Sequence, residues 1–543
     1  MPRLEDALST AYRHTFLQAL QDGSAKPLLI PYSILGSHVI PILWLTIPHV
    51  SRPWLYQTRW IVVAFTIVFN VHAMTVTSST NFGLAYSSGM WLFLGIIQCL
   101  NLLVWTRPQF EAARVIKVVA PKPKPEAEPA DTPRQNGGTL NGHATLTSQT
   151  LKLRKSVSNA PLEKIAESET GTGDEIEYRW QKFPAKAPFL VRLGWVMDLM
   201  FSLRGCGWNF SISTIPRPVI PQIIQDNAKV DVDSVPRKTA AGFSHPVTAR
   251  NLLRTCLIKA LLSYIVLDFL NLQMKRDPYY LVGPNNEYEP PPHIANKSPW
   301  SLALCRQSYF LVGVLISITY YFYVSNIFQY YLFKIFFPSR AFLWNFPSMF
   351  GSFSDVLDRG LAGWWGSWWH QTFRLVFLAP SVYLLKKGYL KRRTVAADLF
   401  GLFISFFQSG LLHAAGSYTA IPHTRPWDQL RYFLFQGLGI VVQQYLSLAL
   451  RSIFPKMPRA MRRCGNLAFS ILWMFVTSPM FLHDMISCAI WMHESVPISV
   501  FRLLGLGPAL SLGYADNAWW RWDKEYFLKF YETKHWWEAG FAL

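Results

Sequence analysis

The sequence predicts an all-α fold, a polytopic helical membrane protein of about eight to ten transmembrane helices, with re-entrant or interfacial helices between them. Three observations predict it. Charged residues make up only 15% of the 543 positions while 51% are hydrophobic, against about 25% charged in an average soluble domain. Apolar runs of about 20 residues recur along the chain, the length a helix needs to cross about 30 Å of hydrocarbon. Basic residues flank those runs rather than forming a stripe, as at Lys386, Lys387, Lys391, Arg392 and Arg393, which suits anionic headgroups.

Residues 1–106 form an N-terminal transmembrane unit with runs at 28–47, 60–77 and 83–104. The leading MPRLEDALSTAYRHTF is polar and has no short apolar stretch followed by a cleavage site, so the first run is expected to be retained as the insertion signal. Residues 107–186 change character completely. From Lys122 to Ser156 the chain is rich in Pro, Gly, Thr and Lys and has no aromatic residue apart from one His. It offers too little apolar area to offset ordering entropy, and a largely disordered loop is expected. Arg107, Arg114, Lys117 and Lys122 directly follow the third run. By the positive-inside rule they place this loop in the cytosol and the amino terminus in the lumen.

Residues 187–517 hold the expected membrane core, with runs at 252–271, 309–335, 394–416, 432–452, 465–486 and 496–513. The stretches at 187–203 and 375–385 are too short or too charged to span and read as interfacial or re-entrant helices. Lys275–Trp300 is Pro-rich and cannot be a span. The tail, 518–543, mixes Trp and Tyr with charge, which is interfacial chemistry.

The net charge of +20 raises nucleic acid as a partner. No basic stripe lies on a polar fold, so membrane lipid is the expected partner and nucleic acid is not. The six cysteines are scattered without a C-x-x-C pair or a Cys/His cluster, so neither a zinc site nor a disulfide scaffold is expected. A di-iron enzyme would need clustered histidines that the chain lacks, and no metal is expected. A transporter of a lipophilic solute is the main non-enzyme alternative. It predicts internal symmetry, none of which is visible, and acidic residues along a path, for which only Asp268 and Asp398 offer themselves.

Ionisable groups within apolar runs are costly and ask for a reason. His370 lies among Trp364, Trp365, Trp368 and Trp369 in GWWGSWWHQTFR, Gly363 to Arg374. An aromatic anchor at headgroup level with a passenger histidine explains the tryptophans; the glycines favour close approach of a ligand. His413 stands near the end of the apolar LFGLFISFFQSGLLHAAGSY, Leu399 to Tyr418, with Ser409 one turn earlier on the same face. A partly dehydrated imidazole there is held neutral and basic, which is what a general base acting on an alcohol requires. A hydrogen bond to another span explains it equally. A nucleophilic Ser409 is disfavoured, because no G-x-S-x-G elbow surrounds it and no acid obviously orients the imidazole. Asp268 ends a run, Asp198 is expected to pair with Arg192 and Arg204, and His423, His483 and His493 sit near predicted ends.

The Gly363–Arg374 block, followed by S-G-L-L-H at Ser409–His413, resembles the wax synthase-like branch of the membrane-bound O-acyltransferases, and in particular fungal terpenoid and meroterpenoid O-acetyltransferases. SLRGCGWNF (Ser202–Phe210), Asp277-Pro-Tyr-Tyr280 and PSMFGS (Pro347–Ser352) support the likeness, in consistent order from about Arg192 to Pro508. The resemblance implies a transferase taking acetyl-CoA, or another acyl-CoA, as co-substrate with no tightly bound cofactor. Its acceptor would be a lipophilic hydroxyl, and its location a multi-pass position in the endoplasmic reticulum membrane. A long-chain wax or sterol ester synthase is the alternative within the family. Carried over, a buried histidine falls on His413 and its partner in a Trp-rich loop on His370. Trp368, Trp369, Gln371, Arg374 and Ser409 are then the expected substrate-binding residues. Where the family often has an Arg pair before Trp-His, this chain has Gly366-Ser367-Trp368-Trp369-His370, which weakens the assignment of His370. The two histidines are 413 − 370 = 43 residues apart, so only folding brings them together.

Overall fold

A computed structural model of the chain describes residues 4–119, 176–285, 287–421, 424–452, 456–507, 516–533 and 535–542. The segment expected to be disordered, Lys122–Ser156, falls outside the described residues, as does His423.

Long apolar helices dominate. After a polar helix α1 (Leu4–Gln21) come α2 (Ile40–Thr46), α3 (Arg59–Val76) and α4 (Phe82–Leu100). The expected run at 28–47 is not one straight helix. It passes through a 3₁₀ turn at Tyr32–Ile34 and a π turn at Leu35–Val39 before α2, so only the 15 residues Tyr32–Thr46 are helical. Two strands flank the polar insert: β1 (Ala113–Val119) pairs antiparallel with β2 (Ile176–Lys182), setting Val115 opposite Trp180. Their buried side packs Val115 and Trp180 with Val230, Phe342 and Trp344 into a small core outside the helical bundle. The described ends of the 107–186 region are thus ordered by pairing with each other.

The short helix α5 (Phe189–Phe201) leads through a loop to α6 (Ala249–Arg276), α7 (Pro299–Phe336), α8 (Ser354–Arg359) and α9 (Arg374–Lys387). The bundle closes with α10 (Val395–Thr419), α11 (Pro426–Ala449) and α12 (Arg459–Ser487). A second hairpin, β3 (Lys529–Tyr531) with β4 (Gly540–Ala542), ends the described chain, and Ile30 bridges to Phe541.

Six helical stretches among the described residues are long and apolar enough to cross a membrane: Pro53–Val76, Phe82–Trp105, Ala249–Arg276, Pro299–Phe336, Val395–Thr419 and Arg459–Ser487. Six of the expected eight to ten spans meet this criterion among the described residues, and the differences have physical causes. The run at 496–513 forms only the four-residue helix Val500–Leu503 in its described part, and Arg502 is fully buried there. α11 is 24 residues long, yet its buried face carries Gln429, Gln436 and Gln443, which lower its apolar character. These amides bond neighbouring helices instead of lipid. Side chains such as Leu257, Phe328, Ile335 and Val476 are more than half exposed on the outer faces. Such a belt is stable against hydrocarbon rather than water.

α10 is packed closely between α4 and α11. Gly89 of α4 faces the Ala415 carbonyl so closely that any Cβ would collide with it, and Gly416 presses on the Tyr86 backbone. Thr419 locks this contact, donating to the Ala85 carbonyl at 2.6 Å and accepting from Gly89 N–H at 3.0 Å. On the other side, a Cβ at Gly410 would strike Leu430 of α11. Small residues at i and i+6 let α10 approach both neighbours closely, the usual device where no hydrophobic drive separates helix from lipid.

Candidate functional site

His413 lies in the middle of this tight α4–α10–α11 contact. Its Nδ1 is 3.0 Å from the Tyr86 hydroxyl of α4. The ring stacks on Phe433 of α11, 4.7 Å between centroids at 15°, and meets the edge of Phe481 of α12 at 5.4 Å. Three helices therefore fix one imidazole, which stays partly exposed. Among the described residues its Nε2 makes no hydrogen bond, which leaves that nitrogen for chemistry.

One turn further along α10, Ser417 donates to Asp484 of α12 at 2.8 Å. Asp484 is fully buried and also accepts from the Arg425 backbone N–H and from Gln429, both at 2.6 Å. This carboxyl in the apolar LHDMIS run was not singled out by the sequence reading, although a lone acid inside a span is a recognisable signal. Tyr86 was also missed. Nothing marks one tyrosine in an aromatic-rich chain until its partner is placed beside it.

The Trp-rich block is a folded-back loop, with a π turn at Trp364–Trp368. Glycines make it possible: Gly360 adopts a left-handed φ of +59°, and a Cβ at Gly363 would strike the Asp355 carbonyl. Trp368 stacks on Phe350 at 5.1 Å and packs edge-on against Trp364 at 4.5 Å, while Trp369 sits beside His370 at 5.2 Å. Trp365 reaches the bundle, touching Phe406 of α10 and Phe433, the ring that stacks on His413. The loop and α10 thus share one aromatic cluster, and the two imidazoles are near enough to interact electrostatically. Folding places the Trp loop against Phe433, the ring that stacks on His413.

The remaining predicted residues brace this loop. Gln371 is buried and donates to the Trp369 carbonyl at 2.6 Å and the Trp365 carbonyl at 3.3 Å. Arg374 donates to Gln371 Oε1 at 2.7 Å and to the Gly366 carbonyl. Ser409 is partly buried on α10, one turn before His413, and no bond joins it to that ring. His370 Nδ1 is buried without a hydrogen-bond partner among the described residues. Burial, with the positive Arg204 nearby, pushes its pKa down to about 4. Arg204 itself donates to the Ser348 and Pro347 carbonyls, tying SLRGCGWNF to PSMFGS beside the loop.

Three expectations about acids and histidines need amendment or detail. Asp198 pairs with Arg114 at 2.8 Å and Arg340 at 2.9 Å, not with Arg192 or Arg204, because the β1 hairpin brings Arg114 to it. Arg192 instead donates to the Thr46 carbonyl. Asp268 accepts from the Phe501 N–H at 3.0 Å, while Asp398 is exposed in the first turn of α10. His483 meets the Tyr279 hydroxyl at 3.1 Å, and His493 stacks on Tyr526. The described residues contain no group of three or more His, Cys, Asp or Glu placed to hold a metal ion.

A cavity of about 670 Å³ opens at the end of the bundle where α11 finishes and α12 begins. Arg359, Arg459, Arg462 and Arg463 line its rim, and Ala362 and Ile440 line its floor. Phe433, Ile440, Gln443 and Ser447 recur at helical spacing on one face of α11, so that face runs from the cavity to His413. Fourteen residues (447 − 433) separate its ends, about 21 Å at the α-helical rise.

With both histidines and the cavity placed, the chain can be compared with known proteins. Residues 346–435 match the membrane bound O-acyl transferase family. The resemblance read from the Trp block and the α10 histidine holds. The matched segment contains the whole Trp loop, α10 and the first part of α11. The chain is 29% identical over 154 residues to Acetyltransferase aurG of Calcarisporium arbuscula, covering 26% of this chain and 35% of the relative. It is 23% identical over 333 residues to Acetyltransferase ple2 of Rhodocybe pseudopiperita, covering 60% and 77%. It is also 28% identical over 145 residues to O-Mevalon transferase macI of Penicillium terrestre, covering 24% and 32%. The chain thus spans about a third of the length of aurG in its match. No solved structure matches. Each of these matches, to the O-acyl transferase family and to the named transferases, covers part of this chain.

Proposed function

We propose that the protein transfers an acyl group, in the first instance acetyl, from acyl-CoA to a hydroxyl of a terpenoid or meroterpenoid held in the membrane. The observation that carries this reading is the placement of His413, with one ring nitrogen tied to Tyr86, the other unbonded, and the Trp loop against it. In the reaction, Nε2 of His413 takes the proton of the acceptor hydroxyl as its oxygen attacks the thioester carbonyl carbon. The tetrahedral intermediate collapses with cleavage of the C–S bond, and the imidazolium returns the proton to the departing thiolate. His370 or a neighbouring indole N–H stabilises the oxyanion. The buried, unpartnered Nδ1 of His370 favours the histidine for that part.

The arginine-rimmed cavity supports CoA as the donor. Its guanidinium groups suit the phosphates of a nucleotide. The α11 face below it leads about 21 Å towards His413, a distance suited to an extended pantetheine arm. The acceptor arrives from the lipid side, and water is kept from the thioester by the aromatic cluster. Such a site belongs in a multi-pass protein of the endoplasmic reticulum, with the arginine rim on the cytosolic side, where the positive-inside rule puts it.

The acyl group has a second reading, because macI and a similarly matched relative from Aspergillus niger, yanI, carry the name O-Mevalon transferase. Microsomes containing the protein, incubated with a hydroxylated terpenoid and equal acetyl-, mevalonyl-, octanoyl- and palmitoyl-CoA, decide between them. Acetyl ester formed first, and lost in His413→Ala, is the expected result. Palmitoyl ester would move the protein to wax or sterol esterification, and solute flux without CoA release would overturn acyl transfer altogether.

A further inference from the structure

Resting on the acyl-transfer reading, we infer that Tyr86, on a helix 327 residues away in sequence from His413, is the positioning residue that orients the base and stabilises its protonated form. A neutral imidazole carries one proton, and only the other nitrogen can accept the proton of an alcohol. Which nitrogen is free is set by the bond the opposite one makes. Here Nδ1 faces the Tyr86 oxygen at 3.0 Å. The Tyr86 hydroxyl can donate to Nδ1 or accept from it; in the reactive tautomer it accepts from Nδ1–H, and Nε2 keeps its lone pair and acts as base. When the imidazole becomes imidazolium, the Nδ1–H···O bond is charge-assisted and strengthens, so the same contact favours the transition state over the ground state.

The backbone is built to hold this contact. Tyr86 lies on α4 between Ala85, whose carbonyl accepts from Thr419, and Gly89, whose N–H donates to Thr419. Gly416 presses on the Tyr86 backbone from α10. Thr419 and Gly416 are on the same helix as His413, so the Tyr86–His413 distance is governed by backbone contacts within two turns. The Tyr86 side chain is itself buried. Other partners could have been supplied from α11 or α12, but those helices present the rings of Phe433 and Phe481 to the imidazole. Tyr86 supplies the hydrogen bond to that ring among the described residues. It also lies outside the segment 346–435 that matches the O-acyltransferase family. The N-terminal helices therefore complete a base that the matched segment holds only in part.

The experiment compares Tyr86→Phe, His413→Ala and the double variant in microsomes, measuring kcat and KM for acyl-CoA and acceptor with protein level as control. Phe keeps the ring, its packing and its volume and removes one oxygen. Tyr86→Phe is expected to lower kcat roughly 10- to 100-fold, less than loss of the base itself, with both KM values within about twofold. In the His413→Ala background the same change is expected to have no further effect on residual turnover, because Tyr86 acts through that ring. A role in folding alone would instead lower the amount of protein, or reduce the double variant further. Wild-type kcat in Tyr86→Phe, or equal losses in both backgrounds, overturns the inference and leaves acyl transfer standing. Full activity in His413→Ala removes that ring as the base and this inference with it, whereas no acyl transfer by the wild-type protein overturns the acyl-transfer reading itself.

Discussion

The two histidines of the site are held in opposite ways. His413 stands on a regular 25-residue helix, pinned by a tyrosine, a stacked phenylalanine and an edge-on one from three different helices. His370 ends an irregular loop whose polar side chains are spent on the loop itself, and its Nδ1 has no partner among the described residues. A base has to be oriented before substrate arrives, because its lone pair must meet a particular proton. A group that stabilises developing charge is worth most when it waits without a competing bond. The contrast between an imidazole held at Nδ1 and one whose Nδ1 has no partner among the described residues supports the proposed division of roles better than proximity would.

The sharpest way to break that contrast is to remove each ring in turn. His413→Ala is expected to lower kcat by about 10²- to 10⁴-fold, the range of a general base. His370→Ala is expected to cost about 10- to 100-fold, since indole N–H groups remain in the loop. Equal losses, or the reverse order, in a microsomal assay would exchange the roles. A steric test follows. Gly363→Val puts a side chain into the Asp355 carbonyl, so the Trp loop must shift away from α8. Transfer should then fall about as far as in His370→Ala while α10 and His413 stay folded, which limited proteolysis of the membrane-embedded protein can check.

A smaller effect is expected at the cavity rim. Arg459 and Arg462 are exposed there, and Arg459 and Arg463 also share Asp358. Replacing Arg459 and Arg462 together by Ala should raise KM for acyl-CoA about fivefold, on the order of 1 kcal/mol. kcat should be unchanged, because the phosphates are far from the reacting carbon. The same variant should lose the ability of free CoA, more than of dephospho-CoA, to inhibit.

How far these features could be read from the chain depends on which force sets them. Spans built by continuous apolar runs, such as Phe82–Trp105 and Val395–Thr419, are legible because the bilayer imposes one length on all of them. α11 reads as a span from its apolar residues, yet its glutamines serve the interior rather than lipid, a division that only packing reveals. The 496–513 run misleads for the opposite reason. Its described leucines, Leu503, Leu504 and Leu506, are exposed, while Arg502 beside them is buried within ion-pair distance of Glu494 and Asp516. His370 and His413 were legible because an ionisable group in apolar surroundings demands an explanation. Tyr86 and the Ser417–Asp484 bond were not, since each is defined by a contact between distant helices.

The same contrast between satisfied and unsatisfied groups extends to pH. Outside the spans, burial pushes His49, His370 and His493 from an ordinary 6.5 down to about 4 each. A histidine whose folded pKa lies below its unfolded value takes up its proton more readily when unfolded. Its contribution to stability is complete above about pH 6.5 and is lost as pH falls through about 4. Glu494 behaves as the partner case: burial would raise its pKa, but Lys275, Arg521 and Arg502 together hold it at about 2. Its contribution is present above about pH 4.5 and disappears only as pH falls towards 2. Thermal unfolding in detergent should therefore show midpoints flat from pH 8 to 6.5, then a decline to pH 4 driven by the histidines. Replacing His493 with Gln should make that decline shallower without changing the plateau's end. A midpoint that rises on acidification from pH 6.5 to 5 would mean that these rings gain protons in the folded state, and would remove the uncharged, waiting His370 on which the assignment of its role depends.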